Sequence, residues 1–428
     1  MEFGGDEETE PFTVTYGEVI SHEPSLAGRS TTVLHAKSPR WKGVDLVVKI
    51  SWPGSERVPE NAFLDEAIKK AKSTGDNEWA LKHLPGVLFA QDVVFDSDST
   101  HEKVARLFDD AEFIGEEYKY ERRTLRIIIQ ECLHPLKTLT DVKDIAQVLV
   151  DVACGTWFSL ISRLPYAHVD SVHRWLYDVA GILHRDLSMN NIMYRIIEGK
   201  VHGVLTDYDL SSWTESLNSD YTKTSQQRTG TPPFMAHGLL DGTEALHLYR
   251  HDVESLFYIM LILATHYDIH TPAKEKDRGV RIRSGKLPFE RWFGQPSYED
   301  LSSFKQTLFS QPGHLNLSPT FEDFRGWLMD LHLSFRRGLR SKQTHEDDMM
   351  SPQKSKGRAI PPFDHGTLGG YVDYSALISP VRSLKGKLEG LVIRYDPPPS
   401  PPPAPTGSVR SSWLQWTSLP FSLPFFSN

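Results

Sequence analysis

At 428 residues the chain can hold two lobes or domains with substantial cores, and its 39% hydrophobic and 24% charged residues mark most of it as globular. A formal net charge of −9 argues against a general nucleic-acid binder, though not against a local basic patch. The only cysteines, Cys132 and Cys154, belong to no CxxC pair, which disfavours a disulfide framework or a cysteine-rich zinc site.

Residues 1–11 are acidic, lack the basic-then-apolar pattern of a secretion signal and read as a disordered leader. Strand patterns follow over Thr13–Ile20, Ser30–His35 and Asp45–Ser51, then a helix over Glu60–Lys72 with Phe63, Ala67, Ile68 and Ala71 on one face. Val87–Phe95 and Leu125–Gln130 supply two more strands. Five strands and one helix describe a small antiparallel lobe, residues 12–133. After Pro135 helical patterns prevail: Ile145–Ile161, Val169–Val179, Arg250–Tyr267 and Phe321–Arg340. The predicted fold is therefore α+β and two-lobed, with a larger, mainly helical lobe over 134–335. The apolar run Leu256–Ala264 is far short of the ~20 residues a bilayer span needs and fits a buried helix. An intracellular protein, cytoplasmic or nuclear, with no membrane or nucleic-acid partner is expected.

Residues 336–362 read as a polar linker and 363–395 as a last ordered piece of the same domain, 12–395. Asp396–Pro405 must be extended, because consecutive prolines fix φ and remove donors. The aromatic end beyond it, through residue 428, is expected to be disordered, or a segment that binds a partner domain.

The chemistry concentrates between Leu183 and Ser211. His184-Arg185-Asp186 is followed five residues later by Asn191, then by a hairpin pattern that delivers Asp207. That order suits phosphoryl transfer: Asp186 accepts the proton of an attacking hydroxyl, while Asn191 and Asp207 hold Mg²⁺ against nucleotide phosphates. Upstream, Lys49 sits in the strand LVVKI, suited to grip phosphates, with Glu66 as its helix partner and Asp65 as the adjacent alternative. No GxGxxG occurs. Gly28 and Arg29 can instead bring backbone N–H groups and charge to phosphate, although a plain turn accounts for them equally well. Ser188 can donate a hydrogen bond in this loop but brings no charge to it. Tyr208 and Asp209 follow Asp207, and Asp209 can add a carboxylate near the metal. Thr222, Thr224 and Ser225 lie near Arg228 in a polar stretch that is either a phosphorylation segment or a simple loop. Thr231 is placed to hydrogen-bond Asp186. Asp252 can hold the loop or simply cap its helix.

Together Leu183–Met193, Asp207-Tyr208-Asp209-Leu210, Gly230-Thr231 with Phe234-Met235-Ala236, and Asp252-Val253-Glu254-Ser255 resemble the eukaryotic protein kinases, and more closely their fungal-type branch. The likeness runs over about residues 12 to 390, with Thr367-Leu368-Gly369-Gly370 similar to the end of that domain. It implies a fungal source, ATP in an interlobe cleft, Mg²⁺ as cofactor, and Glu131-Cys132-Leu133 as the hinge whose backbone, at Glu131 and Leu133, bonds adenine. The product would be phosphorylated Ser or Thr on protein substrates. His237-Gly238, where the family carries Pro-Glu, implies loss of its usual anchoring ion pair. A nucleotide-binding pseudokinase scaffold, or a small-molecule phosphotransferase similar to aminoglycoside or choline kinases, stays open as an alternative.

Overall fold

Alternating β-branched and apolar residues form five paired strands in the computed structural model. The structure describes residues 2–3, 10–23, 29–93, 95, 98–109, 122–153, 171–215, 230–244, 246–270, 278–310, 315–350 and 360–373, with isolated positions up to 391. The strands are β1 (Thr15–His22), β2 (Thr32–Lys37), β3 (Leu46–Ser51), β4 (Val87–Val93) and β5 (Leu125–Glu131), and helix α1 (Glu60–Ser73) lies between β3 and β4. Their order in the sheet is β1-β2-β3-β5-β4, antiparallel throughout. Lys49 pairs with Val33 and Ile128, which puts it on a central strand. Because side chains alternate across a strand, Leu46 and Val48 enter the sheet's own core with Ile127 and Ile129, and Lys49 points to the opposite face.

The acidic leader is not wholly unstructured. Glu2–Phe3 pairs with Phe12–Thr13, and Phe3 stacks on Phe12 at 5.7 Å within the sheet core. A single buried aromatic outweighs the surrounding charge there.

The second core is helical. It gathers α2 (Val142–Ala153), α3 (Tyr249–His266), α4 (Tyr298–Ser310) and α5 (Arg325–Met350), and the apolar face of α1 packs into it through Phe63, Leu64, Ala67 and Ala71. Helix α3 is buried on every side, as its unbroken apolar run predicts. The architecture is α+β, an antiparallel sheet beside a helical body. Helix α5 runs through Met350, so the stretch expected to begin a linker at residue 336 continues the helix. Beyond Gly338 it contains no Gly or Pro and many straight-chain helix formers. Gly338 itself lies against Leu368, where an added Cβ would come within 2.7 Å of the Leu368 Cβ.

A hairpin of β6 (Ile192–Ile197) and β7 (Lys200–Leu205) lies on α2. Its two-residue turn, Glu198 and Gly199, takes φ of 51° and 73°, the left-handed turn that matches strand twist. On β7, Gly203 lets the strand touch α2: a Cβ there would sit 2.5 Å from the Val148 carbonyl oxygen. The hairpin has a functional consequence. Its closing pair, Ile192 and Leu205, brings Asn191 and Thr206 together, and Asp207 follows directly.

The boundaries of most predicted elements differ from the observed ones by a few residues, with two larger cases: α5 continues from the predicted end at Arg340 to Met350, and residues 154–161 of the helix expected over Ile145–Ile161 lie outside the described residues. So do the segment 221–228 and everything beyond 391. Among the described residues no helix is long and apolar enough to cross a membrane.

Candidate active site

Four carboxylates and two cations meet where the sheet faces the helical body. Lys49 Nζ, buried, lies 2.7 Å from Glu60 Oε2, 2.7 Å from Asp207 Oδ1 and 2.9 Å from Asp209 Oδ2. Arg29 reaches in from the segment before β2, 3.5 Å from Asp209 and 3.7 Å from Asp186. Burial alone would lower the Lys49 pKa, but Asp207, Asp209 and Glu60 raise it well above the usual lysine value.

The partner of Lys49 is Glu60, not Glu66. Glu66 pairs instead with Lys69 at 3.3 Å and Lys70 at 3.9 Å on the outer side of α1. Helical phase explains the correction. Glu60 falls on the stripe shared by Phe63, Leu64, Ala67 and Ala71, while Glu66 and Asp65 turn away from it. Glu60 also accepts the Tyr208 N–H at 3.0 Å through its other oxygen, so one carboxylate ties α1, β3 and the Asp207 segment together. We expect Glu60→Ala to lower phosphoryl transfer about 10- to 100-fold, the usual effect of losing a group that orients a working one. Glu66→Ala should change stability by less than about 0.5 kcal/mol. Turnover assays and urea melts of the two variants check this; equal effects would contradict the pairing.

Asp186 is buried, with Oδ1 accepting from the Thr231 hydroxyl at 2.9 Å, the contact expected from its spacing. Burial, with Asp207 nearby, raises its pKa to about 6 despite Arg29 and Thr231. Asn191 donates Nδ2 to the Asp186 carbonyl at 2.7 Å, which turns its amide into the same site. Asp207 and Arg185 both have left-handed backbones, φ 65° and 69°. Such conformations are uncommon for these residues and cluster where a fold over-determines the backbone. Burial would raise the Asp207 pKa, yet Lys49 and Arg29 outweigh it and hold the carboxyl below the usual range.

The loop carrying Asp186 hangs from Asp252, the buried residue near the start of α3. Asp252 accepts from Arg185 N at 3.2 Å and contacts His173 Nε2 at 3.1 Å and His247 Nε2 at 2.8 Å. At the expected hinge, Glu131 is braced by its side chain: Oε1 accepts from Gly86 N at 2.8 Å and Arg195 at 2.5 Å. Leu133 is buried beside it. Gly28 lies outside the described residues.

The segment after Gly230 is anchored in a way the sequence did not reveal. Glu254 accepts the His237 N–H at 2.9 Å and faces its ring Nδ1 at 3.3 Å. Buried Lys305 donates to the carbonyls of Pro232 and Met235 under the Tyr258 ring. These two contacts serve where an ion pair was expected to be missing. Burial opposes the charged form of His237, but Glu254 prevails and raises its pKa. The histidine is thus charged more readily folded than unfolded, where its value is about 6.5. Its contribution is therefore complete below about pH 6.5 and is lost as pH rises through the higher folded value. Urea midpoints should fall with rising pH over that window, and the fall should flatten in His237→Gln; an unchanged slope would assign it to other groups.

The donor set fits a hard divalent cation. Glu60, Asp207 and Asp209 offer carboxylate oxygens within 4.8 Å of one another. Asp209 Oδ1 is buried with no hydrogen-bond partner among the described residues. With Asp186 the acids outnumber Lys49 and Arg29 by four to two, and burial, with Asp209 and Asp207 beside it, raises the Glu60 pKa to about 7 against the pull of Lys49. Oxygen ligands and a surplus of that sign suit Mg²⁺.

A family model described as fungal protein kinase matches residues 4–264, more than half of the chain. The chain belongs to the fungal protein kinase family. No curated protein matches it. The family match covers the whole five-stranded sheet and every residue of the cluster just described, and it ends at Ala264 within α3. The family is one of phosphotransferases, and Ser188, Asp209 and the His237–Glu254 anchor all lie inside the matched region.

Proposed function

We propose that the chain is an ATP- and Mg²⁺-dependent protein kinase that phosphorylates Ser and Thr hydroxyls of protein substrates. In this reading the domain spans 12–395, with the sheet and α1 as a small lobe, the helical body as a large one, and the nucleotide in the cleft between them. The single observation that carries it is the contact of Lys49 with Asp207 across 158 positions of sequence, beside an Asp186 bonded to Thr231. Bound Mg²⁺–ATP supplies the phosphoryl group and neutralises its developing charge.

The chain's own groups divide the remaining work. Asp186 orients the acceptor hydroxyl and takes its proton late in transfer, for which a pKa near 6 is well matched to neutral pH. Asn191 and Asp207 are the metal ligands, and Lys49, fixed by Glu60, grips the phosphates. The backbone at Glu131 and Leu133 receives adenine. Thr231 holds Asp186 at the place where an acceptor segment would lie against Gly230–Ala236.

Asp209 favours keeping a second reading in view. It occupies Lys49 with an extra carboxylate, as a nucleotide-binding scaffold without turnover could tolerate. The test is transfer of labelled γ-phosphate by the full chain to a mixture of Ser/Thr peptides and to small alcohols, with and without Mg²⁺, alongside ATP binding. Label on Ser or Thr only with Mg²⁺ supports the kinase. Tight ATP binding without transfer establishes the scaffold, and rapid transfer to an alcohol but not to peptide establishes a small-molecule enzyme.

A further inference from the structure

Two side-chain cations pair with the site's carboxylates among the described residues, and they are held very differently. Lys49 is buried between three carboxylates at 2.7 to 2.9 Å. Arg29 touches Asp186 and Asp209 only at 3.7 and 3.5 Å, and its side chain keeps 29% of its exposure. Those separations exceed a good charge-assisted hydrogen bond, so the guanidinium is held by the field of Asp207, Asp209 and Asp186 rather than by one fixed contact.

The catalytic segment itself brings no positive charge. From Asp186 to Tyr194 there is no Lys or Arg, and Ser188 in that loop is buried and neutral. Arg195, next in line, is committed to Glu131 and the Leu84 carbonyl. Arg185, just before Asp186, lies among charges that include Arg57 and Asp252.

Arg29 is built to reach from the other side. Its carbonyl accepts the Trp52 N–H at 2.7 Å, which pins its backbone to the chain just after β3. Ser30, next along, adopts φ 43°, a left-handed turn that serine rarely takes. A fixed backbone with a long planar side chain is suited to bidentate contact with phosphoryl oxygens.

Resting on the kinase reading above, we propose that Arg29 is the catalytic cation that stabilises the phosphoryl group in transit, replacing the charge that the Asp186 loop lacks. In that step the acceptor oxygen bonds to the γ-phosphorus and the hydroxyl proton passes to Asp186. The bond from phosphorus to the bridging oxygen breaks, and its electron pair stays on the departing nucleoside diphosphate. The guanidinium, drawn to this point by Asp186 and Asp209, moves onto the equatorial oxygens as their charge grows. Asp209 thereby acquires a purpose: it holds Arg29 over the site.

The test uses the full chain with Arg29→Met and Arg29→Lys, and two measurements. One is turnover. The other is how much fluoroaluminate, a mimic of the phosphoryl group in transit, tightens Mg²⁺–ADP binding. Arg29→Met should lower kcat about 100-fold, as removal of a preorganised charge donor does, and abolish most of the fluoroaluminate tightening. Affinity for Mg²⁺–ADP alone should stay within about twofold, Arg29→Lys should fall between, and added guanidinium should restore part of the loss in Arg29→Met. A kcat within about threefold of the parent, or a loss confined to ADP affinity with tightening intact, overturns the proposal. A parent chain that transfers no phosphate defeats the kinase reading instead. Arg29 is then decided by the second measurement alone: tightening that depends on Arg29 supports it, and tightening retained by Arg29→Met, or absent from the parent, overturns it.

Discussion

With Asp207 replaced by asparagine, Mg²⁺-dependent γ-phosphate transfer should fall by at least about 100-fold while the chain remains folded. The fold survives because asparagine keeps an oxygen for Lys49, and Glu60 and Asp209 continue to hold that ammonium. Transfer fails because an amide carries no charge. In the parent, Lys49 and Arg29 hold the Asp207 carboxyl ionised well below neutral pH, as a metal ligand must be. Raising Mg²⁺ should recover part of the activity, since the defect is in metal affinity. Asp186→Asn should differ: turnover falls about as far, by 10²- to 10⁴-fold, but ATP affinity and the Mg²⁺ requirement stay. Unchanged turnover in Asp207→Asn, or a large loss of ATP affinity in Asp186→Asn, would remove these residues from their roles.

The contrast between Asp207 and Glu60 shows what was readable in the chain. Asp186, Asn191 and Asp207 lie within one local unit, and alternation in Ile192–Ile197 and Lys200–Leu205 signals the hairpin that closes it. Lys49 is similarly marked by its strand. The sequence reading pairs Lys49 with Glu66, whereas helical phase puts Glu60 on the buried stripe. A glutamate on an apolar stripe is costly to bury, and that cost is the signal of a buried cation opposite it.

Other contacts had no local signature. Lys305 reaches Met235 across 70 positions, and Glu254 meets His237 from a helix whose composition predicts only burial. Glu244 gathers Arg250, His251 and Lys342, the last of them 98 positions away. Polar pairs of this kind are set by tertiary packing. Neither periodicity nor turn chemistry records them, and the same is true of Arg29, whose partners appear only once the sheet stands over the helical body.

Asp252→Ala should lower both stability and turnover, by on the order of 3–5 kcal/mol in the first case. Asp252 is fully buried, and its carboxyl stays ionised because the histidines around it outweigh the burial that would raise its pKa. Removing it strands three buried groups at once: the Arg185 N–H and the ring nitrogens of His173 and His247. Each buried polar group left without a partner costs about 1–3 kcal/mol, so the loss follows from the donors rather than from the lost volume. The catalytic consequence is separate. Arg185, at φ 69°, is held in an unfavourable backbone by that contact, and Asp186 is its neighbour. Freed from Asp252, the loop can relax and carry Asp186 away from Thr231, so kcat should fall while the KM for ATP moves little. Asp252→Asn separates the two effects, since it retains one acceptor for the Arg185 N–H. Urea melts and turnover of both variants check the argument, and a stable Asp252→Ala with normal kcat would show that the loop is held by something else.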